Sequence, residues 1–154
     1  MLTRTTCMPD APSTTHRTRV MIVDDDSSVL ESLGAVFSDS GYDVSLAEDG
    51  IFAVDCFLKN RPQVILLDIN MPGKNGWQAL DAISKIDPLV PMIIITARPN
   101  QQGVASGRGV DALMEKPLDF ELLLSTVKRL SEQTRSERCQ RLTDPTFRTD
   151  ILKV

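Results

Sequence analysis

The sequence predicts a doubly wound α/β fold with five parallel strands in the order 2-1-3-4-5. Three observations lead there. Short apolar runs alternate with amphipathic helical stretches five times between residues 19 and 132. The runs at 20–23, 64–67 and 92–95 are continuously apolar, as in strands buried on both faces of a parallel sheet. Strict strand–helix alternation calls for right-handed crossovers, which place helices on both faces of one sheet.

The first strand, residues 20–23, ends at Asp24-Asp25-Asp26. Val29, Leu30, Leu33, Val36 and Phe37 follow at helical spacing, with Ser28 and Glu31 placed as a capping box. Gly41 stands where a C-terminal cap belongs. Residues 42–47 alternate as a second strand, and a helix over 49–59 turns Phe52, Ala53, Cys56 and Phe57 inward. The third strand ends at Asp68, and a helix over 75–86 carries Trp77, Leu80 and Ile83 on one face.

The fourth strand ends at Thr96. Between residues 99 and 109 stand Gly103, Gly107 and Gly109. Each interior glycine costs a helix about 1 kcal/mol relative to alanine, so the fourth helix is expected to be short or mobile. A strand over 111–115 leads into Lys116, and Asp119 caps a last helix carrying Leu123, Val127 and Leu130.

At 154 residues, 42% hydrophobic and 25% charged, the chain has the composition of a globular domain with two short flanks. A formal net charge of -4 argues against a nucleic-acid binder that works by overall basicity. No apolar run approaches the roughly 18 residues of a membrane span, and residues 1–7 lack the apolar core of a secretory signal. Cys7, Cys56 and Cys139 show no paired spacing, which suits free thiols in a reducing compartment, so a soluble, cytoplasmic protein is expected. Residues 1–18 read as a flexible lead-in, 19–132 as the domain, and 133–154 as a tail or helical extension.

In doubly wound sheets ligands bind at the carboxyl ends of the strands, near the switch in strand order. The residues placed there are Asp24, Asp25, Asp26, Asp68, Thr96 and Lys116. Asp26 serves as a helix cap. Asp24, Asp25 and Asp68 gathered together repel one another and raise one another's pKa. A divalent hard cation relieves that, and oxygen ligands without His or Cys point to Mg²⁺ over zinc. A phosphoryl group arriving on one carboxylate then finds the cation, the Lys116 ammonium and the Thr96 hydroxyl ready for its oxygens. This is a phosphoryl-transfer site with an aspartate nucleophile.

The segments Val20-Met21-Ile22-Val23-Asp24-Asp25-Asp26, Leu67-Asp68-Ile69-Asn70-Met71-Pro72-Gly73-Lys74-Asn75-Gly76, Ile95-Thr96-Ala97 and Glu115-Lys116-Pro117 resemble the receiver domain of two-component response regulators. The resemblance spans about residues 19–132. It implies a flavodoxin-like (CheY-like) three-layer sandwich and makes Asp68 the phospho-acceptor, with Thr96 as the switch hydroxyl. It has Lys116 pair with the phosphoryl oxygens and makes Lys116–Pro117 a cis bond. Asp24, Asp25, Asp68 and the backbone carbonyl of Asn70 would then hold Mg²⁺ (or Mn²⁺). The implied donor is a sensor histidine kinase or histidine phosphotransfer protein, with output through an unidentified protein partner and a homodimer left open.

Three features depart from the family's pattern. Leu113 stands where many receivers carry Tyr or Phe, the fourth helix is glycine-rich, and Arg98 lies two positions after Thr96, where side chains overhang the phosphoryl group. Trp77 and Cys56 read as packing residues, and His16 as a poor relay candidate. In the tail, Arg135, Arg138, Arg141 and Arg148 are offset by acidic neighbours, so DNA binding by this chain finds little support.

Two other functions fit less well. A haloacid-dehalogenase-type phosphatase also uses Asp, Mg²⁺, Thr and Lys, but needs an acid two positions after the nucleophile, where Asn70 stands. A phosphorylation-independent scaffold has no use for three mutually repelling aspartates. A transcriptional regulator deprived of its effector domain is the remaining alternative.

Overall fold

The computed structural model describes residues 17–69 and 76–153. In chain order the elements are β1 (Arg19–Val23), α1 (Ser27–Asp39), β2 (Asp43–Ala47), α2 (Gly50–Asn60), β3 (Val64–Asp68), α3 (Gly76–Ile86), β4 (Met92–Thr96), α4 (Gln102–Gly107), β5 (Ala112–Glu115), α5 (Phe120–Ser131), α6 (Arg135–Thr143) and β6 (Asp150–Leu152). The sheet is parallel throughout, in the order β2-β1-β3-β4-β5-β6. The expected order of five is present, and a sixth short strand extends it past β5. The expected lead-in over residues 1–18 lies, apart from Arg17 and Thr18, outside the described residues.

Successive side chains on a strand point to opposite faces, so each buried strand feeds two cores. Met21, Val23, Ile65, Leu67, Ile94 and Leu113 pack on one face with Phe57 of α2, Leu80 and Ile83 of α3, and Ala105 of α4. Val20, Ile22, Val64, Leu66, Ile93 and Ile95 pack on the other with Leu33 and Phe37 of α1 and Leu123, Val127 and Leu130 of α5. At about 1.5–3 kcal/mol for each fully buried aliphatic side chain, these two layers hold the strand ends in fixed register.

Helix ends follow local chemistry. Asp26, not Ser28, caps α1: its carboxylate accepts the Ser28 amide at 2.9 Å and the Ser28 hydroxyl at 2.7 Å. The helix begins at Ser27, so Ser28 is already inside the first turn, and an anionic cap suits the helix N-terminus better than a hydroxyl. Gly41, at φ +94°, follows the cap residue Ser40 in the conformation that glycine adopts without strain. On α2 the buried positions are Gly50, Ala53 and Phe57. Phe52 is 60% exposed, because it lies one residue, about 100° of helix, away from Ala53. Cys56 packs half-buried at the margin of the core. The fourth helix is short, as its glycines foretold, at six residues.

Residues 133–154 read as a tail or a helical extension, and α6 with β6 stands there although the segment carries no apolar stripe. The Thr134 hydroxyl accepts the Glu137 amide at 3.0 Å, and the Glu137 carboxylate accepts the Thr134 amide at 2.8 Å, closing a capping box at the start of α6. Arg138, 3% exposed, sends Nη1 and Nη2 to the two carboxylate oxygens of Asp111 at 2.8 and 3.0 Å, and its Nε to the carbonyl of Leu89. Asp111 also accepts from Arg141 and from the Met92 amide. The helix is fastened by charge where a periodic apolar face would normally do the work.

Candidate functional site

Parallel register brings the strand ends to one edge. Val23 pairs with Leu67, Asp68 with Ile95, and Thr96 with Glu115. The residues just beyond therefore converge: Asp24 and Asp25 after β1, Asp68 closing β3, Thr96 closing β4 and Lys116 after β5. Asp24 is 1% exposed, Asp68 3%, and Asp25 open to solvent. One carboxylate oxygen from each of the three lies within 4.8 Å of the others. Lys116 Nζ stands 3.2 Å from Asp68 Oδ2 and 3.6 Å from Asp24 Oδ2.

The electrostatics are unbalanced. Asp24 Oδ1 accepts the Asp26 amide at 2.9 Å, whereas its Oδ2 is buried with no hydrogen-bond partner among the described residues. Burial, joined by the nearby Asp68 charge, pushes the Asp24 carboxyl up to about 6 from its ordinary 3.8, against the opposing pull of the Asp26 amide and of Lys116. Burial alone would lower the Lys116 ammonium, but Asp68 and Asp24 outweigh it and raise the group above the usual lysine range. One ammonium is set against three carboxylates. An orphaned buried oxygen in an all-oxygen cluster is what a hard divalent cation satisfies, so the residues present fit Mg²⁺.

The flanking elements fix this geometry. The Lys116 amide donates to the Thr96 carbonyl at 2.8 Å, and the Arg98 amide donates to Thr96 Oγ1 at 2.9 Å. Thr96 is fully buried, and the Arg98 side chain is exposed. Lys116–Pro117 is cis, as expected. At Gly76 a Cβ would stand 2.4 Å from the Ile69 Cα and 2.5 Å from the Asp68 carbonyl oxygen. Only glycine lets α3 start this close behind Asp68. Leu113 is wholly buried in the core beneath α4. Trp77 is a packing residue; the Arg108 guanidinium lies over its ring at 5.3 Å and also pairs with Asp81. The Asn70 carbonyl, expected as a metal ligand, lies outside the described residues.

Residues 20–128 match the family model of the response regulator receiver domain. This chain belongs to that family. It is 35% identical over 118 residues to the response regulator MprA of Mycobacterium sp. (strain KMS), an alignment covering 75% of this chain and 51% of that protein. MprA of Mycobacterium tuberculosis (strain ATCC 25177 / H37Ra) is 34% identical over 121 residues, covering 77% and 53%. The chain thus spans about half the length of these curated relatives. Among solved structures, the chemotaxis response regulator CheY4 of Vibrio cholerae superposes with a TM-score of 0.69 at 28% identity, over 75% of this chain and 99% of that one. The receiver domain of NtrX from Brucella abortus does so with a TM-score of 0.70 at 27% identity, over 75% and 99%.

Receiver domains are signalling domains of two-component systems and not turnover enzymes. They generally bind Mg²⁺ at an acidic pocket, and they interact with histidine kinases or phosphotransfer proteins. No described helix of this receiver is long and apolar enough to cross a membrane.

Asp24, Asp25, Asp68, Thr96 and Lys116, expected together from the sequence, stand at one edge of the sheet. Asp111 and Arg138 were not among the residues expected to matter. Thr134-x-x-Glu137 marked the start of a helix, and Arg138 and Arg141, three apart, share one face of it.

Proposed function

We propose that Asp68 is the phospho-acceptor of a two-component phosphorelay, and that its esterification switches a protein-interaction surface. The observation that supports this most is the Lys116 ammonium 3.2 Å from Asp68 Oδ2, beside two further carboxylates that one lysine cannot neutralise. A carboxylate oxygen of Asp68 attacks phosphorus in line with the departing imidazole of a phosphohistidine. The P–N bond breaks, its electron pair leaves on the nitrogen, and the imidazole takes up a proton from solvent. Lys116 holds charge on the phosphoryl oxygens, and the Thr96 hydroxyl supplies a hydrogen bond to one of them. A Mg²⁺ held by Asp24, Asp25, Asp68 and the Asn70 carbonyl would add the positive charge that the cluster lacks.

Residues 19–132 form the signalling unit in this reading, and 133–153 an extension packed upon it. The free thiols of Cys56 and Cys139 suit a reducing, cytoplasmic setting. The test is incubation of the parent and Asp68→Asn with acetyl phosphate and Mg²⁺, followed by intact mass. One phosphoryl group on the parent and none on the variant is expected. A gain that persists in Asp68→Asn, or no gain in either, overturns the assignment.

A further inference from the structure

We infer that residues 144–153 are a latch across β5 and α4, and that phosphorylation of Asp68 opens it. This rests on the phospho-acceptor reading above.

The two halves of the tail are fastened by different means. The first half, α6, is anchored by the buried Arg138–Asp111 pair at the amino-terminal end of β5, away from the acidic cluster. The second half hangs on Thr149 and a three-residue strand. Thr149 is buried, and its amide donates to Ser106 Oγ at 2.9 Å. Its hydroxyl donates to the Val110 carbonyl at 2.7 Å, and its carbonyl accepts from Gln102 Nε2 at 2.8 Å. Beyond it, β6 pairs Asp150, Ile151 and Leu152 with Ala112, Leu113 and Met114 of β5. Ion pairs of Asp150 with Arg129 at 3.7 Å and Arg141 at 3.5 Å lie at the surface and add little.

These fastenings sit on the two elements that leave the acidic cluster. The chain runs from Thr96 through residues 97–101 into α4, which carries Gln102 and Ser106. Met114, the last residue paired with β6, lies two positions before Lys116. Thr96 and Lys116 are themselves joined by the 2.8 Å backbone bond. A phosphoryl group that draws the Thr96 hydroxyl and the Lys116 ammonium inward pulls on both supports of the latch at once. The α4 support is weak by construction, a helix of six residues containing Gly103 and Gly107. Ile151, opposite Leu113, packs into the same core as α4, so displacement of α4 removes part of its seat. An open latch leaves the β5 edge with unpaired backbone groups, a surface that another strand can occupy.

Hydrogen exchange on the full chain in Mg²⁺, with and without acetyl phosphate and with intact mass read in parallel, tests this. Phosphorylation is expected to speed exchange of amides 150–152 on the order of tenfold, inside the 5- to 150-fold span of ordinary coupling free energies. The amides of α6, held by Arg138, should not change. A phosphoryl group gained with unchanged exchange at 150–152 overturns the latch and leaves the phospho-acceptor reading intact; no phosphoryl gain refutes both. Thr149→Val, which deletes one bond to the latch at constant shape, should raise exchange at 150–152 without any phosphodonor. Parent-like exchange in that variant also overturns it.

Discussion

Asp24 and Asp111 are equally buried, each 1% exposed, and sit at opposite ends of the sheet in opposite electrostatic states. Asp111 receives two donors from Arg138, one from Arg141 and the Met92 amide, so both of its oxygens are satisfied. Asp24 has one hydrogen-bonded oxygen and one, Oδ2, with no hydrogen bond and only the 3.6 Å ion pair to Lys116, an ammonium it shares with Asp68. A buried carboxylate that is fully paired holds structure together. One left short of positive charge strains the fold and is poised to take a cation. The difference between anchoring and chemistry here is one of satisfaction rather than of residue type.

Arg138→Ala should break the contrast most strongly. It strips two donors from a buried carboxylate and should cost about 3–5 kcal/mol, read as a lowered urea midpoint. A loss below about 1 kcal/mol would show that Arg141 alone satisfies Asp111.

Asp24→Asn should act in the opposite direction. In the metal-free protein the folded carboxyl takes up its proton near pH 6 rather than at 3.8. The folded state therefore binds more protons than the unfolded one between those values. Stability falls as pH rises through that window and stays depressed above it. Removing the charge should raise stability at pH 7.5 in EDTA by on the order of 2 kcal/mol and flatten the slope. Stabilisation of the parent by Mg²⁺ should weaken in the same variant, because a proposed ligand is lost. A variant no more stable than the parent above pH 7 would mean that Lys116 already compensates Asp24.

The smallest effect belongs to Arg135→Ala. Burial tends to raise the Asp87 carboxyl, but the facing Arg135, 3.3 Å away, and the Leu89 amide hold it below the usual range. The pair is open to solvent on the arginine side, so its urea midpoint should match the parent's within error. A clear loss there would place a share of the α6 anchoring at the surface.

The acidic cluster was legible in the sequence because each of its members closes an apolar run or stands within two residues of its end, and a parallel sheet aligns such ends. Phe52 was misread because neighbouring apolar residues at a helix start blur which of them faces inward; the start at Gly50 settles it. The form of the tail, which the sequence leaves open between a tail and a helical extension, was undecided for a different reason. Apolar periodicity is the usual signal of a packed element, and α6 docks instead through Arg138 onto a carboxylate 27 positions away in the chain.

Five strand ends, and the placing of Asp24, Asp25, Asp68, Thr96 and Lys116 at them, follow from local pattern together with the alignment of strand ends in a parallel sheet. Period-2 and period-3.6 hydrophobicity carries that information along the chain. The closing of β6 on β5, the pairing of Asp111 with Arg138 and the orphaned oxygen of Asp24 were decided only by the folded structure. Each depends on which distant groups come within about 3 Å, the reach of a hydrogen bond, and no local period encodes that distance.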